Sequence, residues 1–411
     1  MWRLSLGYTS KLDANWRLSL GYTSKLDANQ SVSLNIEKMK IGILTLPLHT
    51  NYGGILQAYA LQTVLERMGH EVMVIDEKRK PKKQSILLQK KKYIGRFFKK
   101  YILRKSIYIH YEKKMDLFAP IICKYTNAFI DEYINRLQVN KLSEIEEGMF
   151  DAIVVGSDQI WRPIYYNNIE DAFLLFAKDW NIRRIAYAPS FGVDSWEYTV
   201  EQTNVCSFLL KNFDLVTIRE KSGVELISKN LKCKAELVLD PTLLLNKDDY
   251  VNLINRKKIR NSKGNLFNYI LDHTLEKQEL ITKIAKDLNL FPFKVNGNNS
   301  NDTRITIDER IQRPVEDWIQ GIMDADFIIT DSFHACVFCI EFQKSFVVLQ
   351  NKKRGLSRIE SLLGLFGLER LMISSFDEYK DLNTVIDYDQ VSQVLLKMRE
   401  SNIEMLQSSL K

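Results

Sequence analysis

An α/β fold of two Rossmann-like domains facing a cleft, GT-B-like in plan, is what the sequence predicts, and three observations carry the prediction. Short apolar runs of strand length alternate with segments whose apolar residues recur at helical spacing. The alternation begins at Lys40, is interrupted once, and starts afresh after Asp240. Polar or glycine-bearing loops leave the carboxyl ends of several runs, which is where parallel sheets bind ligands.

In chain order, KIGILTL (Lys40–Leu46) reads as a buried strand and PLHTNYGG (Pro47–Gly54) as the loop that leaves it. ILQAYALQTVLERMG (Ile55–Gly69) has helical spacing and ends on Gly69, a good C′ residue. HEVMVID (His70–Asp76) is the next strand, which completes a βαβ unit with parallel strands. After the interruption, DAIVVGSD (Asp151–Asp158), RIAYAPSFG (Arg184–Gly192) and DLVTIRE (Asp214–Glu220) are strands with their exit loops. SGVELISKN (Ser222–Asn230) is a helix, and AELVLDPTLLL (Ala235–Leu245) closes the half with a break at Asp240-Pro241. The second half repeats the grammar. LFNYILD, FPFKVNG, DFIITDS and SFVVL are strands; Leu275–Leu290, Pro314–Ala325 and Phe333–Phe342 are helices, and a last helix starts near Tyr388. The predicted boundaries are an extension over 1–38, a first domain over 39–240 with a basic insertion at about 78–148, a second domain over 241–373, and a helical segment over 374–411.

The 411 residues favour two or three domains. Hydrophobic residues make up 45% and charged residues 27%, an ordinary globular balance. Five cysteines are too few for a disulfide framework, and no apolar run is long enough to span a bilayer. With no secretion signal recognised, the expectation is a cytoplasmic protein. Trp2–Asn15 and Trp16–Asn29 are identical, WRLSLGYTSKLDAN. Two copies do not make a solenoid. The repeat fits a recent duplication or a start at Met39, and the extension is expected to be poorly ordered.

The surplus of charge, +7, is concentrated in Lys78–Lys114, where Tyr93, Phe97, Phe98, Tyr101 and Tyr108 are interleaved and Glu112 is the one acid. This stretch reads as a solvated helical face, as a contact for an anionic membrane surface, or as a nucleic-acid surface; the last lacks any recognised module.

Four exit loops should converge on the cleft. In the first, Asn51, Gly53 and Gly54 let a backbone and a helix N-terminus approach a phosphate or carboxylate, or they form a plain tight turn. The spacing is not GxGxxG, which argues against a nicotinamide site at Asp76. In GSDQIW, Ser157, Asp158 and Gln159 suit sugar hydroxyls, with Trp161 placed to stack on a sugar face, or they cap the next helix. In TDSFH, His334 lies in the first turn of a helix, where an imidazole titrating near neutrality serves as acid or base, or is structural. The helix dipole would lower its pKa and a bound phosphate would raise it. Arg219 suits an anion or a salt bridge to Glu220 or a neighbour. Arg354 and Arg358 are further candidates for anion contact. Cys336 and Cys339 read as buried small hydrophobes, and nothing resembles a metal motif.

In order, HTNYGGILQAYALQ, GSDQIW, AYAPSFG, IREKSG, VLDPTLLL and TDSFHACVF resemble the polysaccharide pyruvyl transferase family, over about Lys40 to Ile373. The resemblance implies a GT-B-type transferase that takes phosphoenolpyruvate as donor and needs no cofactor. His334 is its implied catalytic residue, and Arg219 an implied donor-binding position. More typical members carry an arginine two residues before the histidine, where this chain has Ser332. Donor binding is therefore expected of Arg219, Ser332, Arg358, Asn51, Gly53 and Gly54, and acceptor binding of Asp158, Gln159 and Trp161. The acceptor would be a sugar, nucleotide-sugar or lipid-linked glycan of a capsule or exopolysaccharide, and an enzyme at the inner membrane face would fit it. Two other functions stand beside this one: a glycosyltransferase with a nucleotide-sugar donor, and a sugar-binding protein without turnover.

Overall fold

The first five-residue strand, β1 (Lys40–Leu44), is buried at four of its positions. β4 (Ala152–Val155), β10 (Phe327–Thr330) and β11 (Phe346–Leu349) are buried throughout. Strands covered on both faces are the reason these segments read as unbroken apolar runs. The computed structural model describes residues 37–78, 86–256, 262–351 and 355–411. Expectations for 1–36, for the basic run at 79–85 and for Arg354 lie outside the described residues.

Two parallel sheets result. The first has the order β3-β2-β1-β4-β5-β6-β7, with β2 (Glu71–Glu77), β3 (Arg136–Val139), β5 (Arg183–Ala186), β6 (Leu215–Ile218) and β7 (Glu236–Leu237) joining β1 and β4. Its order reverses between β1 and β4, so a crevice opens beside their carboxyl ends. The second sheet has the order β12-β11-β10-β8-β9, adding β8 (Leu266–Tyr269), β9 (Pro292–Phe293) and β12 (Met372–Ile373). All strand pairs in both sheets are parallel. This is the α/β architecture expected.

The halves meet on packed side chains. The Tyr52–Arg67 helix follows β1, yet its first residue lies in the second half: the Tyr52 ring stacks 5.7 Å from Trp318 and its hydroxyl donates to the Arg313 carbonyl at 2.8 Å. The C-terminal Tyr388–Ser409 helix is a second tie. Asn402 accepts the Leu239 amide at 2.8 Å, and Arg399 donates to the Leu243 carbonyl at 2.6 Å and to Glu341 at 2.7 Å. One apolar cluster therefore runs from β1 and the Tyr52–Arg67 helix into β8, β10 and the Phe333–Glu341 helix.

The basic insertion between β2 and β3 is helical: Ile86–Tyr101, Tyr111–Ile122 and Lys124–Tyr133. It is pinned to the second half, where the Tyr108 amide donates to Asn301 at 3.0 Å and the Tyr111 hydroxyl to the Asn299 carbonyl at 2.7 Å. Among the described residues no helix is long and apolar enough to cross a membrane.

Candidate active site

The four exit loops converge. Gly53, in the first turn of the Tyr52–Arg67 helix, sits so close to His334 that a Cβ on it would overlap the imidazole ring. His334 occupies the first turn of the Phe333–Glu341 helix. Two helix N-termini, one from each half, thus meet at one histidine, and the first amides of each helix have no acceptor within it. Glycine is required at 53 by this close approach.

Arg219 leaves β6 and is buried among carboxylates. One terminal nitrogen donates to Asp240 at 2.5 Å, the other to Asp158 at 3.2 Å. The guanidinium lies 4.6 Å from the centroid of the Phe333 ring. Of the partners left open for Arg219, these two carboxylates are taken and Glu220 is not. Ser157 donates to Asp240 at 3.2 Å, and Asp240 also accepts from the Thr242 amide and hydroxyl. Glu220 faces the other way: one carboxylate oxygen accepts from Ser190, Phe191 and Gly192 at 2.8–3.2 Å and so holds the APSFG loop. Arg358 enters from the second half, buried, 5.5 Å from the Phe333 ring centroid.

His334 is buried, and its Nε2 lies 3.9 Å from the nearer Asp240 oxygen, beyond hydrogen-bond reach. Burial depresses its pKa to about 4; Asp240 pulls it upward, and Arg219 and Arg358 push it down. The expectation of titration near neutrality is thereby corrected: His334 is uncharged at pH 7. Burial would raise the carboxyls of Asp240 and Asp158, but Arg219 outweighs it and holds both below the usual carboxylate range. Burial, with Arg219 nearby, brings Arg358 down to about 10. His334 Nε2, Arg219 Nε and Glu220 Oε2 are buried without a hydrogen-bond partner among the described residues. Orphans of this kind cost on the order of 1–3 kcal/mol each, and those of His334 and Arg219 lie together where the exit loops converge.

The remaining candidates divide. Asn51 is exposed at the N-cap of its helix and makes no side-chain cap. Gly54 lies against Asn51 and Asp158. Ser332 caps the Phe333–Glu341 helix by accepting from the Ala335 amide at 3.5 Å. Gln159 is half-buried, with Arg162 3.5 Å from its amide oxygen. Trp161 requires a correction. It is fully buried, stacked on Phe173 at 4.7 Å, with its indole N–H donated to the Ala172 carbonyl at 3.0 Å. Both of its faces and its polar handle are used by the core, so it offers no platform to a sugar. Cys336 and Cys339 are buried in the core.

Asp240 was missed as a site residue. Its signal is present in the sequence: Asp240-Pro241-Thr242 follows an apolar run just as Asp331-Ser332 follows β10, and the proline also fits a domain break. Asp331 is committed elsewhere. It accepts from the Leu271 amide at 2.6 Å, Lys277 at 2.6 Å and Asn351 at 2.9 Å. Lys277 and Asn351, with Asp272 and Ser374, also line a cavity of about 470 Å³ at the carboxyl ends of β8, β11 and β12.

Comparison with solved structures finds distant likenesses. Arabidopsis thaliana UGT89C1 complexed with UDP-L-rhamnose is 10% identical with a TM-score of 0.45, over 91% of this chain and 94% of that one. The UDP-GlcNAc 2-epimerase of Methanocaldococcus jannaschii is 11% identical with a TM-score of 0.40, over 88% and 92%. The UDP-GlcNAc 2-epimerase of Neisseria meningitidis bound to UDP-GlcNAc is 12% identical with a TM-score of 0.41, over 88% and 99%. A comparison with curated protein sequences finds no match. The profile of the family described as polysaccharide pyruvyl transferase matches residues 51–353, a span that begins at Asn51 and takes in Asp158, Arg219, Asp240 and His334. With well over half of it matched, the chain belongs to the polysaccharide pyruvyl transferase family and is a transferase.

Proposed function

We propose that the protein transfers the pyruvyl group of phosphoenolpyruvate to two hydroxyls of a sugar, forming a pyruvate ketal and releasing phosphate. The observation that carries this reading is His334: uncharged, buried, with an unpartnered Nε2, at the meeting of two helix N-termini and beside two buried arginines.

The reaction has a proton problem that such a group answers. Two hydroxyls each lose a proton, the methylene carbon gains one to become methyl, and the other leaves with phosphate as its monohydrogen form. Two C–O bonds form at the central carbon; its enol double bond and its bond to the phosphate oxygen are lost. A neutral imidazole can take a proton from the attacking hydroxyl and pass it to the methylene carbon. Donor phosphate beside it would raise its proton affinity at the moment the proton arrives. The donor's phosphate and carboxylate are held by Arg358, Arg219 and the amides around Gly53 and Gly54, with Asn51 and Ser332 at the two N-caps. Arg358 supplies the positive charge that typical relatives place at the position of Ser332. Asp240 and Asp158 hold Arg219 in place beside His334, and the half-buried Gln159 of the same loop is offered to the acceptor.

The test is phosphate release from phosphoenolpyruvate with and without acceptors, across a panel of free, nucleotide-linked and lipid-linked sugars. Release that requires one acceptor class is expected. No release with any acceptor, together with glycosyl transfer from a nucleotide sugar, would replace this function with a glycosyltransferase.

A further inference from the structure

Between β2 and β3, from Lys90 onward, the Ile86–Tyr101 helix has its polarity reversed relative to an ordinary surface helix. Among its described side chains, from Lys90 onward, the half-buried positions are Tyr93, Arg96 and Lys100. Arg96 donates to both carboxylate oxygens of Glu112 at 2.6 and 2.9 Å and to the Ile109 carbonyl at 3.2 Å, and Tyr93 packs edge-on against His110 at 4.7 Å. The apolar residues from Ile94 onward are exposed. Ile94, Phe97, Phe98, Tyr101 and Ile102 are 68%, 55%, 51%, 56% and 63% exposed. At 3.6 residues per turn they fall within an arc of roughly 140°. Leu103, just past the helix end, is also 52% exposed.

The charge around this stripe has one sign. Lys90, Lys91, Lys99 and Lys105 are exposed along it, and no Asp or Glu occurs from Lys90 to Tyr111. The next acid, Glu112, is taken by Arg96 and Lys92. A covering surface must accept several large apolar side chains and also be negative. A second copy of the chain would bring like charges face to face. A nucleic-acid strand would match the charge but leave Ile94, Ile102 and Leu103 in water. The interface of an anionic bilayer meets both requirements. The helix is also fixed in orientation, because the turn after it is tied to the second half through Tyr108 and Tyr111.

We propose that the Ile86–Tyr101 helix lies in the plane of an anionic membrane surface and docks the protein there, with Phe97 and Phe98 inserted and the lysines on the headgroups. The proposal is independent of the transfer reaction, and its test needs no turnover. The full chain is sedimented with vesicles of phosphatidylglycerol and phosphatidylcholine, and with phosphatidylcholine alone, at low and high salt. Binding to the anionic vesicles is expected, falling about ten-fold or more at high salt, with little binding to the neutral ones. Phe97→Ser with Phe98→Ser should lower binding by about ten-fold or more, and Lys91→Gln with Lys99→Gln should lower it and flatten the salt dependence. Thermal unfolding of each variant checks the fold, which exposed positions should leave unchanged. Equal binding to both vesicles, binding to neither, or binding indifferent to both pairs of substitutions overturns the proposal. So does a concentration-dependent dimer that Phe97→Ser with Phe98→Ser abolishes in a protein that ignores vesicles.

Discussion

His334 is held uncharged by its surroundings, and that has a cost that can be measured. Its folded pKa of about 4 lies below the ordinary histidine value near 6.5. Between these limits the unfolded chain binds the extra proton, so stability from this residue is fully present above pH 6.5. It declines as pH falls toward 4. The span corresponds to roughly 3 kcal/mol. His334→Gln removes the titration, so its stability relative to the native protein should rise by about that amount between pH 7 and pH 4 in denaturant titrations. A constant difference between the two proteins across this range would mean that the histidine titrates normally. The position of His334 was legible because a histidine one turn past a strand is a local pattern. Its environment was not, since Asp240, Arg219 and Arg358 reach it from three separate elements. Trp161 shows the opposite failure. It follows the polar Ser157, Asp158 and Gln159, but the turn aims it with Ile160 into the core against Phe173, and the packing of Tyr198 and Phe191 around it shows which side of that turn is inside.

At the scale of elements, the site is the junction of two helix starts, and Gly53 is the point of contact. Gly53→Ala places a methyl group against the His334 ring. Overpacking of this kind typically costs about 1–3 kcal/mol. The larger consequence falls on the reaction: the ring must rotate or the helices must separate, and turnover should drop by roughly ten-fold or more in protein that remains folded. Alanine at the exposed helical glycine Gly95, where an added methyl group meets nothing, controls for general handling. Unchanged turnover in Gly53→Ala would show that the spacing between the two helices is not what positions the imidazole. The strands and exit loops were readable because both sheets are parallel and covered on both faces, which makes each strand an apolar run ending in polar residues. The Ile86–Tyr101 helix was not readable in detail. Its composition showed charge and aromatic rings, but which residues face out depends on Glu112 capturing Arg96.

For the molecule as a whole, the two-sheet α/β plan follows from the restart of strand-and-helix alternation after Asp240. How firmly the halves are joined does not. Tyr52, Asn402 and Arg399 each reach a partner far away in sequence, and no local pattern announces such a tie. That junction brings Gly53, Arg219, Asp240, His334 and Arg358 into one buried cluster, in which His334 is proposed to relay the proton when phosphoenolpyruvate reacts. The direct measurement uses phosphoenolpyruvate carrying a carbon label in its pyruvyl group, an acceptor that supports phosphate release, and equal amounts of folded native and His334→Gln protein. Label is expected in the sugar, with one phosphate released per label transferred and a rate lowered by roughly two to four orders of magnitude in the variant. Label transfer by His334→Gln at the native rate would contradict that role.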